Sequence, residues 1–132
     1  AKERLKESAS GFDSKGMPKP RTMKSLKEAG IFVNPKQEWL EANNQSRAQA
    51  GTWYGKLMDA LAHYDLMSRL PRIKASATMV IYGEIDRLRE GEELLHNNII
   101  NAQKVVLPGL GHFPQVEDPE AFLGALLPFL DA

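Results

Sequence analysis

Asp86 and His112 are the residues of this 132-residue chain best suited to chemistry by type and setting. Asp86 closes the turn Gly83-Glu84-Ile85-Asp86, and His112 closes Gly109-Leu110-Gly111-His112; each turn follows a short apolar run. A carboxylate that orients an imidazole, which then takes a proton from a nucleophile, makes two-thirds of a catalytic triad. The glycines beside His112 allow the tight, exposed turn that such a base needs. Glu84, in the same turn as Asp86, is the fallback carboxylate, and Glu117 reads as a solvent-facing or loop-anchoring group.

The surrounding elements predict how the two meet. Ala77-Thr78-Met79-Val80-Ile81-Tyr82 is nearly continuously apolar, without period-two alternation, as in a strand covered on both faces. Glu90 to Ile100 reads as a helix with Leu94, Leu95 and Ile99 as its buried stripe. Its acidic residues Glu90, Glu92 and Glu93 sit at the end where the helix dipole favours anions. Lys104 to Leu107 is a second strand, stopped by Pro108-Gly109. Strand, helix and strand within about 30 residues form a βαβ unit with parallel strands. In parallel sheets, ligands gather beyond the carboxyl ends of the strands. Adjacent strands lie ~4.8 Å apart, so Asp86 and His112 are expected on one rim, within reach of each other. Asp118 is expected to cap a last helix that starts at Pro119 and buries Ala121, Phe122, Ala125, Leu126, Phe129 and Leu130.

Before Leu70 the pattern is helical and irregular. Gly11 to Pro20 reads as a loop, and Thr22 to Ala29 as a short helix ended by Gly30. A further helix is expected with Pro35 in its first turn, running through Trp39 and Leu40. Thr52 to Ser68 is the best helical pattern here, with Trp53, Leu57, Ala60, Leu61, Tyr64 and Met67 at spacings of three and four. Of the aromatic residues, Trp53 and Tyr54 lead Trp39 and Tyr64 as candidates for lining a substrate pocket, although plain packing suits all four.

Composition narrows the function. Seventeen basic residues balance seventeen acidic ones, so bulk charge draws the chain neither to nucleic acid nor to a membrane surface. The balance is uneven along the chain: residues 1–50 hold ten Lys+Arg against six Asp+Glu, and residues 51–132 hold seven against eleven. With no cysteine there is no thiolate nucleophile, disulfide framework or Cys-ligated zinc. His63, His96 and His112 lack metal-ligand spacing, and no metal or other cofactor is expected. His63 and His96 read as surface residues. The charged stretch Ala1-Lys2-Glu3-Arg4-Leu5-Lys6-Glu7 does not look like a signal peptide, and no apolar run approaches a membrane span, so a cytoplasmic location is expected.

Residues 73–132 resemble the C-terminal part of the α/β-hydrolase superfamily. The resemblance rests on Leu70-Pro71-Arg72-Ile73, Val80-Ile81-Tyr82-Gly83-Glu84-Ile85-Asp86 and Ala102-Gln103-Lys104-Val105-Val106-Leu107, in that order. It continues in Gly109-Leu110-Gly111-His112-Phe113-Pro114, Glu117-Asp118-Pro119-Glu120-Ala121-Phe122 and Pro128-Phe129-Leu130. It implies an α/β fold: a parallel strand-helix-strand-helix core over 71–132, preceded over 1–70 by a mostly helical cap segment and its return to the core. It implies that Asp86 is the triad acid and His112 the base, with Trp53, Tyr54 and Phe113 as substrate-binding candidates.

The nucleophile elbow Gly-x-Ser-x-Gly is not in this sequence; Gly11-Phe12-Asp13-Ser14-Lys15-Gly16 has the wrong spacing and no preceding strand. Two parallel strands alone also leave an apolar strand with an open edge. The expectation is therefore the C-terminal piece of a cofactor-independent serine hydrolase, a carboxylesterase first, acting on a small molecule. Its nucleophile would lie in an N-terminal part of the same enzyme, which is the expected partner. A carbon–carbon bond hydrolase is the close alternative, and an Asp nucleophile would make it a dehalogenase or epoxide hydrolase. A non-catalytic receptor or interaction protein on the same fold is the reading from a different class.

Overall fold

A computed structural model describes residues 11–132 of the chain. The charged stretch 1–7 lies outside the described residues. Two compact units are formed: residues 11–22 with Gln37–Tyr64, and Met23–Lys36 with Asp65–Ala132.

The first unit is a looped strap on a helical pair. Asp13 makes the strap turn, its Oδ1 accepting from the amides of Lys15 (2.8 Å) and Met17 (2.9 Å), and Gly16 supplies a positive φ of 78°. Phe12 then faces Pro18 in an antiparallel bridge. Helix α2 spans Gln37–Ala50 and α3 spans Thr52–His63, hinged at Gly51, whose φ is 55°. Asn44 on α2 holds the strap by accepting from the Arg21 amide (2.8 Å) and donating to its carbonyl (2.9 Å). Arg47 is buried, donates to the Lys19 carbonyl at 3.0 Å and lies 4.9 Å over the Tyr54 ring.

Two expectations about these helices fail. α2 starts at Gln37 rather than Pro35, which is buried two residues ahead of the helix. α3 stops at His63, five residues before Ser68, because Tyr64 turns extended at ψ 122°. Asp65 then accepts from the Ser68 hydroxyl (2.6 Å) and amide (3.3 Å), a local turn that competes with the helix. The apolar stripe of α3 is exposed: Trp53, Leu57, Leu61 and Tyr64 all face out.

In the second unit, helix α1 (Met23–Glu28) buries Leu26 and ends at Gly30, with φ 64°. A 3-10 turn at Leu70–Arg72 leads to strand β1 (Met79–Gly83). Helix α4 (Arg89–Asn98) and strand β2 (Gln103–Leu107) follow. The strands are parallel, in register from Met79 with Gln103 to Gly83 with Leu107. Val80, Tyr82 and Leu107 are buried in this core with Leu26, Phe32 and Leu70. Each contributes about 1.5–3 kcal/mol by leaving water. Asn101, with φ 57°, makes the left-handed corner into β2.

A short helix α5 (Pro114–Glu117), absent from the sequence reading, follows β2 and runs into α6 (Pro119–Leu130). Asp118 caps α6 by accepting from the Ala121 amide at 3.0 Å. The buried stripes expected on α4 and α6 are only partly covered. Leu94 and Leu130 are exposed, and Leu95, Ile99, Phe122, Ala125, Leu126 and Phe129 are half-buried. Among the described residues the sheet has two strands, too narrow to cover both helices. No described helix is long and apolar enough to cross a membrane.

Candidate active site

The parallel register puts the ends of β1 and β2 side by side, and the two loops beyond them are stitched together. The Glu84 amide donates to the Leu107 carbonyl (2.9 Å) and the Ile85 amide to the Leu110 carbonyl (3.0 Å). The Glu84 carboxylate accepts from the Gly109 amide at 3.0 Å, so the fallback carboxylate is engaged in the loop. Gly83 makes this closeness feasible: a Cβ there would fall on the carbonyls of Leu110 and Gly111.

Asp86 and His112 meet across this seam, with Asp86 Oδ2 2.8 Å from His112 Nδ1. Asp86 is only 4% exposed, and its Oδ1 accepts from the Leu88 amide at 2.8 Å. Both carboxylate oxygens are therefore fixed, and one aims at the imidazole. The arginines beside Asp86 are directed elsewhere: Arg87 Nη1 donates to the Ala29 carbonyl (3.0 Å) and Arg89 Nη1 to the Glu84 carbonyl (3.3 Å).

The segment after α1 is the platform under His112. The Ile31 carbonyl accepts from the His112 amide at 2.8 Å. The Phe32 and Phe113 rings stack at 4.9 Å, and the Phe113 ring meets the imidazole edge-on at 4.7 Å. Glu117 locks the assembly: Oε1 accepts from the Gly111 amide (3.0 Å), and Oε2 from the amides of Val33 (3.0 Å) and Asn34 (3.3 Å). Nothing in the sequence marked residues 31–34 for this part, because backbone groups carry no side-chain signature.

Glu92, on the first turn of α4, completes the surroundings. Asp86, Glu92 and His112 each offer a donor atom, all within 4.8 Å of one another. A cation would suit that spacing, but the Asp86–His112 hydrogen bond already uses one donor atom of each. Burial, reinforced by the Asp86 charge, pushes the Glu92 carboxyl above the usual carboxylate range, with its own amide and His112 pulling the other way. Sequence reading saw Glu92 only as a dipole partner. The usable signal was that helical side chains lean toward the N-terminus, which carries a first-turn residue back over the preceding loop.

On α4's side of the sheet, a cavity is lined by Tyr82, Arg89, Glu93, Leu94, Asn97 and Val106, among others. The Tyr82 hydroxyl donates to Glu93, which also pairs with Lys104 at 3.2 Å. Burial first, and this hydrogen bond second, push the Tyr82 phenol up to about 12. Tyr82 and Lys104 in turn hold the Glu93 carboxyl below its usual range.

The other candidates are placed as follows. Phe113 adjoins the imidazole, as described. Trp53 and Tyr54 belong to the first unit: Trp53 is 71% exposed with Lys56 Nζ 4.0 Å over its ring, and Tyr54 packs 6.0 Å from the Phe12 ring. His63 is exposed and bonds the Asp59 carbonyl at 2.8 Å, and His96 lies 3.2 Å from Asn97 Oδ1.

No family model and no curated protein matches the sequence. Solved structures do match. An esterase from Exiguobacterium antarcticum is 24% identical, with a TM-score of 0.62, over 83% of this chain and 42% of its own. A bromoperoxidase from Bacillus anthracis is 24% identical, with a TM-score of 0.64, over 81% of this chain and 43% of its own. A thermophilic esterase is 28% identical, with a TM-score of 0.62, over 82% of this chain and 45% of its own. The chain thus spans less than half the length of these structures. They are α/β-hydrolases, aligned here through their C-terminal parts, so the order of parallel strand, helix, strand and helix that joins Asp86 to His112 is the C-terminal part of an α/β-hydrolase fold.

Proposed function

We propose that the chain supplies the acid and the base of a cofactor-independent serine hydrolase acting on carboxylic esters. The observation that carries this reading is the 2.8 Å hydrogen bond from His112 Nδ1 to the buried carboxylate of Asp86. A carboxylate acceptor at Nδ1 keeps the proton there and leaves the Nε2 lone pair as the proton acceptor. His112 then removes the proton of a serine hydroxyl as that oxygen attacks the ester carbonyl, and Asp86 stabilises the imidazolium that forms. The imidazolium returns the proton to the departing alcohol, and a second cycle with water releases the acid. Oxyanion donors and serine belong to an N-terminal part of the same enzyme, and this chain acts only together with it. The esterases among the similar structures support the choice of substrate class.

Two features support the companion part. β1 pairs on one side, with β2, and carries no second partner among the described residues. Leu94, Leu123, Leu127 and Leu130 leave apolar surface on both helices that flank the sheet. Phe113, beside the imidazole, is the substrate contact this reading favours. The test is hydrolysis of a chromogenic short-chain ester by the full-length protein, by this chain alone, and by the two parts mixed. Turnover by the full-length and mixed samples, with none from this chain alone, supports the proposal; full turnover by the isolated chain refutes it.

A further inference from the structure

We propose that Glu92 is a positioning residue for His112, a third charge in the site that supports the imidazolium formed when the ring takes up a proton. This inference rests on the reading of His112 as the base and adds a residue to it. The argument is geometric. A carboxyl oxygen of Glu92 lies within 4.8 Å of donor atoms on both Asp86 and His112. It comes from a different element: Asp86 and His112 stand on the loops after β1 and β2, whereas Glu92 stands on the first turn of α4 and leans back over them.

At that separation a negative charge favours the imidazolium over the neutral imidazole. Partial burial weakens the screening that would erase the effect on an open surface, since Glu92 is half-buried and Asp86 buried. The groups around Glu92 leave it free for this part. Asp86 faces it from the loop after β1 and His112 from the loop after β2. Tyr82, on β1, feels the charges of Glu92 and Arg89 but gives its hydrogen bond to Glu93. Arg89 donates to the Glu84 carbonyl, and Arg72, on the 3-10 turn packed against α4, is exposed. No cation is paired with the Glu92 carboxylate among the described residues, and a protonated His112 is a positive charge within its reach.

The experiment compares Glu92→Gln and Glu92→Asp with the unaltered full-length protein, by ester turnover against pH and by NMR titration of the His112 ring. Glu92→Gln is expected to move both the acid limb of the rate profile and the His112 titration to lower pH, by about one pH unit. Glu92→Asp, which keeps the charge, is expected to restore most of that displacement. A uniform fall in rate with neither limb nor titration displaced would assign Glu92 to structure and overturn the proposal. The same holds if Glu92→Asp behaves as Glu92→Gln does. The NMR titration keeps the two readings separable: a protein without ester turnover refutes the proposed activity, while the His112 titration still decides the Glu92 proposal.

Discussion

His112 Nδ1 and Asp86 Oδ2 lie 2.8 Å apart although 26 positions separate the two residues in sequence. The parallel register of β1 with β2 brings them together, because it sends both following loops to one rim. The carboxylate is buried and the imidazole side chain is 29% exposed, so the acceptor is shielded while the imidazole reaches solvent.

Asp86→Asn should keep the shape of the site and remove its chemistry. The amide can donate to the imidazole and so favours the wrong tautomer, lowering ester turnover about 10⁴-fold. Rates and circular dichroism of the full-length variant check this; loss of the fold together with the activity would point to a structural part for Asp86.

Glu117 anchors the loop that carries His112. Glu117→Ala removes the acceptor of the Gly111, Val33 and Asn34 amides. Losing these charge-assisted bonds should cost about 2 kcal/mol or more of stability. It should also loosen the loop that carries His112, so turnover falls by more than the loss of folded protein explains. Thermal melts and kcat measured on the same sample separate the two effects.

Gly83→Ala should be among the most damaging small substitutions. The added methyl collides with backbone carbonyls of Leu110 and Gly111, which cannot swing aside as a flexible side chain would. The expected outcome is a lost or strongly destabilised fold, by about 3 kcal/mol or more. An unchanged melting temperature would show that the two loops are farther apart than described.

Tyr82 makes a pH prediction with a definite sign. Its phenol is held neutral up to about 12, against 10 for an unperturbed tyrosine. The native state therefore holds this proton over a range in which the unfolded chain has lost it. The stability from the neutral phenol is complete below pH ~10 and is lost as the pH rises from there through about 12. Denaturant midpoints should fall across that window, and the fall should be smaller in Tyr82→Phe. Equal falls in the two proteins would contradict this.

Much of the site was legible in the sequence, and for a physical reason. Asp86 and His112 sit beside Gly83 and Gly109–Gly111, after apolar runs too short for helices, so strand, loop and rim could be read locally. Gly30 and the Asp118 cap were readable in the same way, as single residues with one dominant backbone preference. Burial was read less well. The stripe Trp53, Leu57, Leu61 and Tyr64 has helical spacing and is exposed, because spacing shows which face is apolar and not what covers it. The supports of His112 were hidden for another reason: Ile31, Val33 and Asn34 act through backbone groups that any residue type would offer.

The most direct test is ester turnover by the full-length protein with His112→Ala, alongside the unaltered enzyme. If the imidazole is the proton acceptor, turnover falls by about 10⁴–10⁶-fold, at least as far as in Asp86→Asn, while the melting temperature changes little. Undiminished turnover in that variant would contradict the account at its centre.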